Sequence, residues 1–227
     1  VFGEAAGDYI VSLTNMVTAL LAVPAAGHGV SQQFAAQDQK ISSGKIVSTD
    51  PPYYDNIGYA DLSDFFYVWI RHSLRETYPD LFATVTVPKT DELVATPRRH
   101  GGKSLAEEFF LEGMTTALAN IAVQVQPVYP VTIYYAFKQT EDSGSSGSTS
   151  TGWETFLEAA IRAGFAITGT WPIRTELSNR MRGKESNALA TSVVIVCRQR
   201  TGYSPIATRR EFVSTLKLEL PTALMHL

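Results

Sequence analysis

Short β-branched runs alternate along this chain with stretches of helical periodicity, and that alternation constrains the fold more than any other feature. Lys45-Ile-Val-Ser-Thr49, Pro130 to Lys138, Phe165 to Ile173 and Thr191 to Arg198 all read as strands. Asp8 to Val23, with Ile10, Leu13, Val17, Leu20 and Leu21 at helical spacing and Pro24 beyond, reads as a helix. So do Asp61 to Thr77, Ser104 to Gln126, Trp153 to Ala163 with Gly164 as its C-cap, and Arg209 to Leu227. Strands separated by helices predict an α/β fold with a mainly parallel sheet covered by helices on both faces. The last two strands have no helix between them and are expected to pair as an antiparallel hairpin at one edge.

The remaining segments are read more briefly. Gly27 and Gly29 mark a turn, and Val30 to Ala36 is a candidate short strand. In Asp61 to Thr77 the apolar positions are Leu62, Phe65, Phe66, Trp69, Ile70 and Leu74, with Asp61 or Ser63 as N-cap; Phe65, Phe66 and Trp69 are expected to pack in the core, with Phe65, Phe66, Tyr67 and Trp69 as a stacking platform the alternative. Residues 79–103, basic in part, suggest a surface excursion. In Ser104 to Gln126, Leu105, Phe109, Met114, Leu118, Ile121 and Val125 are expected inward, and Ser104 with Glu107 fits a capping box. Thr140 to Thr151 is a Gly/Ser/Thr tract with the composition of a flexible loop.

Composition bounds the function. With 227 residues, 44% hydrophobic and 18% charged, the chain suits one globular domain or at most two small ones. The net charge of -3 gives no global pull toward nucleic acid, so any such contact must come from a local basic patch. The single Cys197 excludes an internal disulfide and, in an apolar run, is expected to be a buried thiol. Four scattered histidines show no metal-ligand spacing, and no metal site is expected. No apolar stretch reaches the roughly 18 residues of a membrane span, and no signal peptide opens the chain, so a cytoplasmic protein without a membrane partner is expected.

The chemistry concentrates where the first strand stops. Asp50-Pro51-Pro52-Tyr53 follows Lys45–Thr49 directly, and ligands in α/β sheets bind outside the carboxyl ends of strands. An aromatic exocyclic amine is a poor nucleophile because its lone pair is delocalised into the ring. Two acceptors for its two hydrogens draw the nitrogen toward tetrahedral geometry. The Asp50 carboxylate and the Pro51 carbonyl supply two such acceptors, and the Pro51-Pro52 pair offers no competing N–H. Tyr53 offers a flat ring for stacking, worth on the order of 1–3 kcal/mol. That offsets the few kcal/mol needed to take a base out of a duplex.

Thr49-Asp50-Pro51-Pro52-Tyr53-Tyr54-Asp55-Asn56-Ile57, with Tyr59-Ala60-Asp61-Leu62-Ser63-Asp64-Phe65-Phe66-Tyr67-Val68-Trp69, resembles the adenine-specific DNA methylases, a group that often carries a zinc ribbon. Trp171-Pro172-Ile173-Arg174-Thr175-Glu176 and Ser186 to Ala190, leading into Val193–Arg198, are similar to the same family. The resemblance spans roughly Lys45 to Arg200. It implies a class I S-adenosylmethionine-dependent methyltransferase sheet, Rossmann-like, with DNA and S-adenosylmethionine as partners. It implies catalytic roles for Asp50, Pro51, Pro52 and Tyr53; Tyr54 and Asn56 beside them are candidate substrate contacts, with Asn56 able instead to cap a turn. Arg174, Arg180, Arg182 and Lys184 are candidates to meet DNA phosphates, or form a solvated hairpin loop.

The family's Gly-rich turn, which cradles the methionine end of the cofactor, has no counterpart; Phe2-Gly3-Glu4-Ala5-Ala6-Gly7 is a poor match with no strand before it. The acidic residue for the ribose and the zinc ribbon are not found either. We therefore expect residues 1–227 to be the catalytic half of a methyltransferase, with cofactor-binding strands upstream, an incomplete S-adenosylmethionine site, and an exposed sheet edge able to self-associate. Cytosine N4, RNA adenine or a glutamine amide would need the same two-acceptor pocket, and a non-catalytic DNA- or partner-binding subunit could keep the fold.

Overall fold

A computed structural model describes residues 3, 5, 7–23, 26–55, 57–136, 151–174, 191–200, 202 and 207–224. Two compact units divide the chain, Val1–Phe34 and Ala35–Leu227. In the first, α1 (Tyr9–Ala22) follows Asp8, whose extended backbone caps it, and buries no residue. Its apolar positions Ile10, Leu13, Val17, Leu20 and Leu21 are all exposed.

The second unit holds β1 (Ser48–Thr49), α2 (Tyr59–Leu74), α3 (Pro97–His100), α4 (Lys103–Gln124), β2 (Val131–Tyr135), α5 (Thr151–Arg162), β3 (Phe165–Arg174), β4 (Thr191–Gln199) and α6 (Arg209–Leu224). All four expected strands join one sheet in the order β1-β2-β4-β3. β1 runs parallel to β2, while β4 runs antiparallel to β2 and to β3. β1, β2 and β3 thus point one way and β4 the other, so the sheet is mixed rather than mainly parallel. The hairpin forms as expected, with β3 outermost and β4 inserted beside β2. Its register shifts between Ile167 and Gly169.

The core lies on one face of the sheet. Val131, Ile133 and Tyr135 alternate inward along β2 and align in register with Cys197, Ile195 and Val193 of β4. Against them pack Phe110, Met114, Leu118 and Ile121 of α4 and Phe156, Ala159 and Ala160 of α5. Cys197 is fully buried as expected, and burial pushes its thiol up to about 11. On the other face Tyr134 is 38% exposed, while Val194, its register partner, is buried. No helix among them is long and apolar enough to cross a membrane.

Several local expectations are corrected. Residues 30–36 form no strand and are exposed, because no strand among the described residues takes up their backbone groups. α2 begins two residues before Asp61; Gly58 caps it, and both Asp61 and Ser63 lie inside the helix. α4 starts at Lys103 after Gly102, whose φ of 143° only glycine adopts readily, so Ser104 cannot cap it and no side-chain cap forms. Leu105, in the first turn of α4, is exposed. Leu93, Val94 and Ala95 are buried within the stretch read as a surface excursion. Phe65, Phe66 and Trp69 are exposed rather than packed in the core. Residues 140–150 of the Gly/Ser/Thr tract lie outside the described residues, and Thr151 opens α5.

Candidate functional site

The Asp50 turn is held in place from both sides. Upstream, residues 36–45 are tied to the end of α4. Asn120 and Gln124 donate to the Gln39 carbonyl, each at 2.8 Å, and the Gly44 amide donates to the Gln124 carbonyl at 2.8 Å. The Gln126 amide then reaches the Lys45 carbonyl at 3.1 Å, and the Thr132 amide the Val47 carbonyl at 3.1 Å. These bonds set β1 in register with β2. The chain leaves the sheet at Asp50 because Pro51 and Pro52 lack the N–H groups that would extend the ladder.

Within the turn, the Tyr53 hydroxyl donates to Asp50 Oδ1 at 2.5 Å. One carboxylate oxygen is thereby held, while the side chain stays exposed and Oδ2 has no hydrogen-bond partner among the described residues. Burial, then the hydrogen bond to Asp50, raises the Tyr53 phenol well above its ordinary value, so it remains a donor. None of the backbone bonds outside helices and strands ends on the Pro51 carbonyl among the described residues. The Tyr53 hydroxyl thus orients the Asp50 carboxylate, and the Pro51 carbonyl accepts no hydrogen bond among the described residues.

Behind the turn lies an aromatic wall. The Tyr53 ring crosses Tyr135 edge to face, with centroids 5.4 Å apart at 74°. Tyr135 in turn stacks on Phe156 at 4.3 Å and donates to the Gly152 carbonyl at 3.3 Å. Tyr54 has a φ of 51°, the sole positive value outside glycine among the described residues. Such a backbone costs roughly 1–2 kcal/mol and persists only where its surroundings fix it. Here the Tyr54 carbonyl accepts from the Ala95 amide at 2.9 Å, and its ring packs edge to face on Phe110 at 5.2 Å. Burial, with Glu107 and Asp55 nearby, pushes the Tyr54 phenol up to about 12. Tyr54, expected as a substrate contact, therefore packs as part of the wall.

A second set of residues adjoins the turn through the start of α2. Glu92 accepts from the Ala60 amide at 2.8 Å, one of the donors a helix N-terminus leaves unpaired. Arg99 bridges Glu92 at 2.5 Å and Asp61 at 2.6 Å. These bonds set the first turn of α2 and with it Tyr59, whose phenol is raised by burial, then by the charges of Asp50 and Glu92. Arg99 is thus engaged in an ion network with Glu92 and Asp61. Sequence reading missed Glu92, Arg99 and Tyr135 because no local motif joins them to Asp50. The spacing of Tyr53 three residues after Asp50, across a rigid proline pair, was a usable signal for their hydrogen bond.

Of the other expected site residues, Arg174 ends β3, paired in register with Thr191. Asn56, Arg180, Arg182 and Lys184 lie outside the described residues, as do Phe2, Glu4 and Ala6. No protein-family model matches the chain, and neither does any curated protein or solved structure.

Proposed function

We propose that this chain carries the amine-binding half of an S-adenosylmethionine-dependent methyltransferase acting on the N6 amine of adenine in DNA, built on a class I sheet. The observation that carries the reading is the Asp50-Pro51-Pro52-Tyr53 turn at the carboxyl end of β1, with a carboxylate oxygen and a carbonyl that both lack a hydrogen-bond partner among the described residues and a tyrosine hydroxyl fixing the carboxylate. The antiparallel terminal hairpin, on strands that otherwise run one way, agrees with that sheet.

On this reading the flipped base enters with its amine toward Asp50. Asp50 Oδ2 accepts one amine hydrogen, a bond to a charged group contributing roughly 1.5–3 kcal/mol, and the Pro51 carbonyl the other, a neutral bond contributing roughly 0.5–1.5 kcal/mol. The nitrogen lone pair is turned out of the ring plane toward the methyl donor. Tyr53 keeps Asp50 from swinging toward solvent, and its ring, supported by Tyr135, offers the base a stacking surface. The described residues do not fit S-adenosylmethionine by themselves. β1 leads into a proline pair rather than a Gly-rich turn, and it has a strand neighbour on one side alone among them. The donor's own contacts would come from elsewhere.

The test is methyl transfer from labelled S-adenosylmethionine to DNA by the whole gene product, with N6-methyladenine and N4-methylcytosine separated by mass spectrometry. Asp50→Ala removes an acceptor from an exposed side chain and should leave folding intact while lowering the rate by on the order of 10²–10³. Wild-type turnover by that variant would rule out the role given to Asp50. N4-methylcytosine as the product would move the reading to the other base.

A further inference from the structure

Residues 92–99 fasten both ends of the stretch that leaves the Asp50 turn. On the near side Ala95 donates its amide to the Tyr54 carbonyl at 2.9 Å. On the far side Glu92 Oε1 accepts from the Ala60 amide at 2.8 Å. Arg99 completes the clamp with its two terminal nitrogens, Nη1 on Glu92 Oε2 at 2.5 Å and Nη2 on Asp61 Oδ2 at 2.6 Å. A forked guanidinium fixes two carboxylates in two directions at once, which a point-charge ammonium does not. The chain passes close to this pair: a Cβ on Gly58 would lie 3.0 Å from Asp61 Oδ2 and 3.7 Å from Arg99 Nη2.

The clamp is itself fixed to the core. Leu93 packs so closely over Gly113 of α4 that a Cβ there has no room. Val94 and Ala95 are buried beside it. The side chains of Glu92 and Arg99 are 12% and 16% exposed, so this is not the solvated surface pair that contributes little. What the clamp holds is Tyr59, the first residue of α2, between Gly58 and Ala60. Tyr59 is exposed, and its phenol is raised by burial and then by the charge of Asp50.

We propose that Glu92 and Arg99 are positioning residues for methyl transfer: they pin residues 54–60 across residues 92–95 and so hold Tyr59 at the edge of the amine pocket, a role that rests on the Asp50 turn being that pocket. Neither touches the base. Without them the first turn of α2 is free to fray, as helix ends do, and Tyr59 moves with it.

The test combines methyl transfer by the whole gene product with amide exchange in the 227-residue chain. Arg99→Met alone strands the enclosed Glu92 carboxylate and risks unfolding. Glu92→Gln with Arg99→Met strands no buried charge and keeps an oxygen for the Ala60 amide, so circular dichroism should be unchanged. This pair should lower kcat about tenfold through lost positioning, while KM for S-adenosylmethionine stays within about twofold because the donor's contacts lie elsewhere. Tyr59→Ala should lower kcat to a similar extent. Added to the pair it should lower kcat little further, because all three substitutions act through one group. In the pair the Ala60 amide should exchange about tenfold faster, and the Ile133 amide of β2 at the wild-type rate. Wild-type kcat in the pair, a KM for S-adenosylmethionine that rises as kcat falls, or losses from the pair and Tyr59→Ala that multiply, overturns the proposal. A wild type that methylates no DNA, or an Asp50→Ala variant as fast as wild type, sinks the reading of the site instead. The clamp then stands or falls on Ala60 exchange, and an unchanged rate there overturns it.

Discussion

Gly152→Ala offers a sharp test of how the Asp50 turn is supported. Gly152 is the second residue of α5, where alanine would ordinarily stabilise a helix by at most about 1 kcal/mol over glycine. An added Cβ here would lie 2.8 Å from the Tyr54 Cβ and 2.9 Å from its Cγ. Those atoms belong to the root of the side chain and cannot swing aside. Tyr54 also has little backbone latitude, with φ at 51°, its carbonyl on the Ala95 amide and its ring on Phe110. Overpacking of this kind costs roughly 1–3 kcal/mol, which exceeds the propensity gain. The net loss is about 1–2 kcal/mol, or a Tm lower by about 2–8 °C for a chain of this size. Hydrogen exchange at the Ala95 amide should accelerate as Tyr54 moves. Gly27→Ala, where a Cβ would meet nothing within 4 Å, is the control and should hardly change the Tm. A Gly152→Ala protein as stable as the wild type, with Ala95 still protected, would refute the claim that α5 braces the turn.

Other perturbations address the site and the core. Tyr53→Phe keeps the ring and removes the donor to Asp50, so folding should persist while methyl transfer by the whole gene product falls about tenfold, or 1.4 kcal/mol; an unchanged rate would show that the hydroxyl orients nothing. The 227-residue chain alone should show little or no heat of binding with S-adenosylmethionine in calorimetry, and micromolar binding would mean that a cofactor cradle has been overlooked. Cys197 and Tyr54 are raised to about 11 and about 12, so both are neutral in the fold. The stability they contribute is complete below their ordinary values and lost as pH rises through the raised ones. The urea midpoint should therefore fall between about pH 9 and pH 12, and a flat profile to pH 12 would contradict their burial.

The strands were legible because their signals are local. Val131 to Tyr135 and Thr191 to Gln199 are rich in β-branched residues, and Pro51-Pro52 must end whatever precedes it. Gly164, with φ at 89°, ends α5 where a left-handed residue is needed. Strand order was not legible, since the insertion of β4 beside β2 depends on pairings more than fifty residues apart in sequence. Helix α2 shows a different limit. Periodicity established that Leu62, Phe65, Phe66 and Trp69 share a face but not what lies against it. The polar positions Asp64, Tyr67 and Arg71 found partners on residues 84–89, and those bonds turned the apolar stripe outward.

The candidate site divides in the same way. Asp50, Pro51, Pro52 and Tyr53 were identified because the chemistry of amine recognition needs those groups within one short turn. The groups that hold the turn are distant in sequence: Tyr135 on β2, Ala95 before α3, Phe110 on α4 and Gly152 on α5. Each contacts Tyr53 or Tyr54 rather than Asp50 itself. The two tyrosines therefore act as the joint between a local motif and the core, and Tyr54 carries the unfavourable backbone geometry that the joint requires. Loss of Asp50 should remove chemistry and spare stability. Loss of the Tyr54 packing should lower stability first and disturb Asp50 only as the turn loosens. Measuring both quantities on Asp50→Ala and Gly152→Ala separates these roles, and a shared loss of stability in the two variants would show that the motif and its support are not distinct.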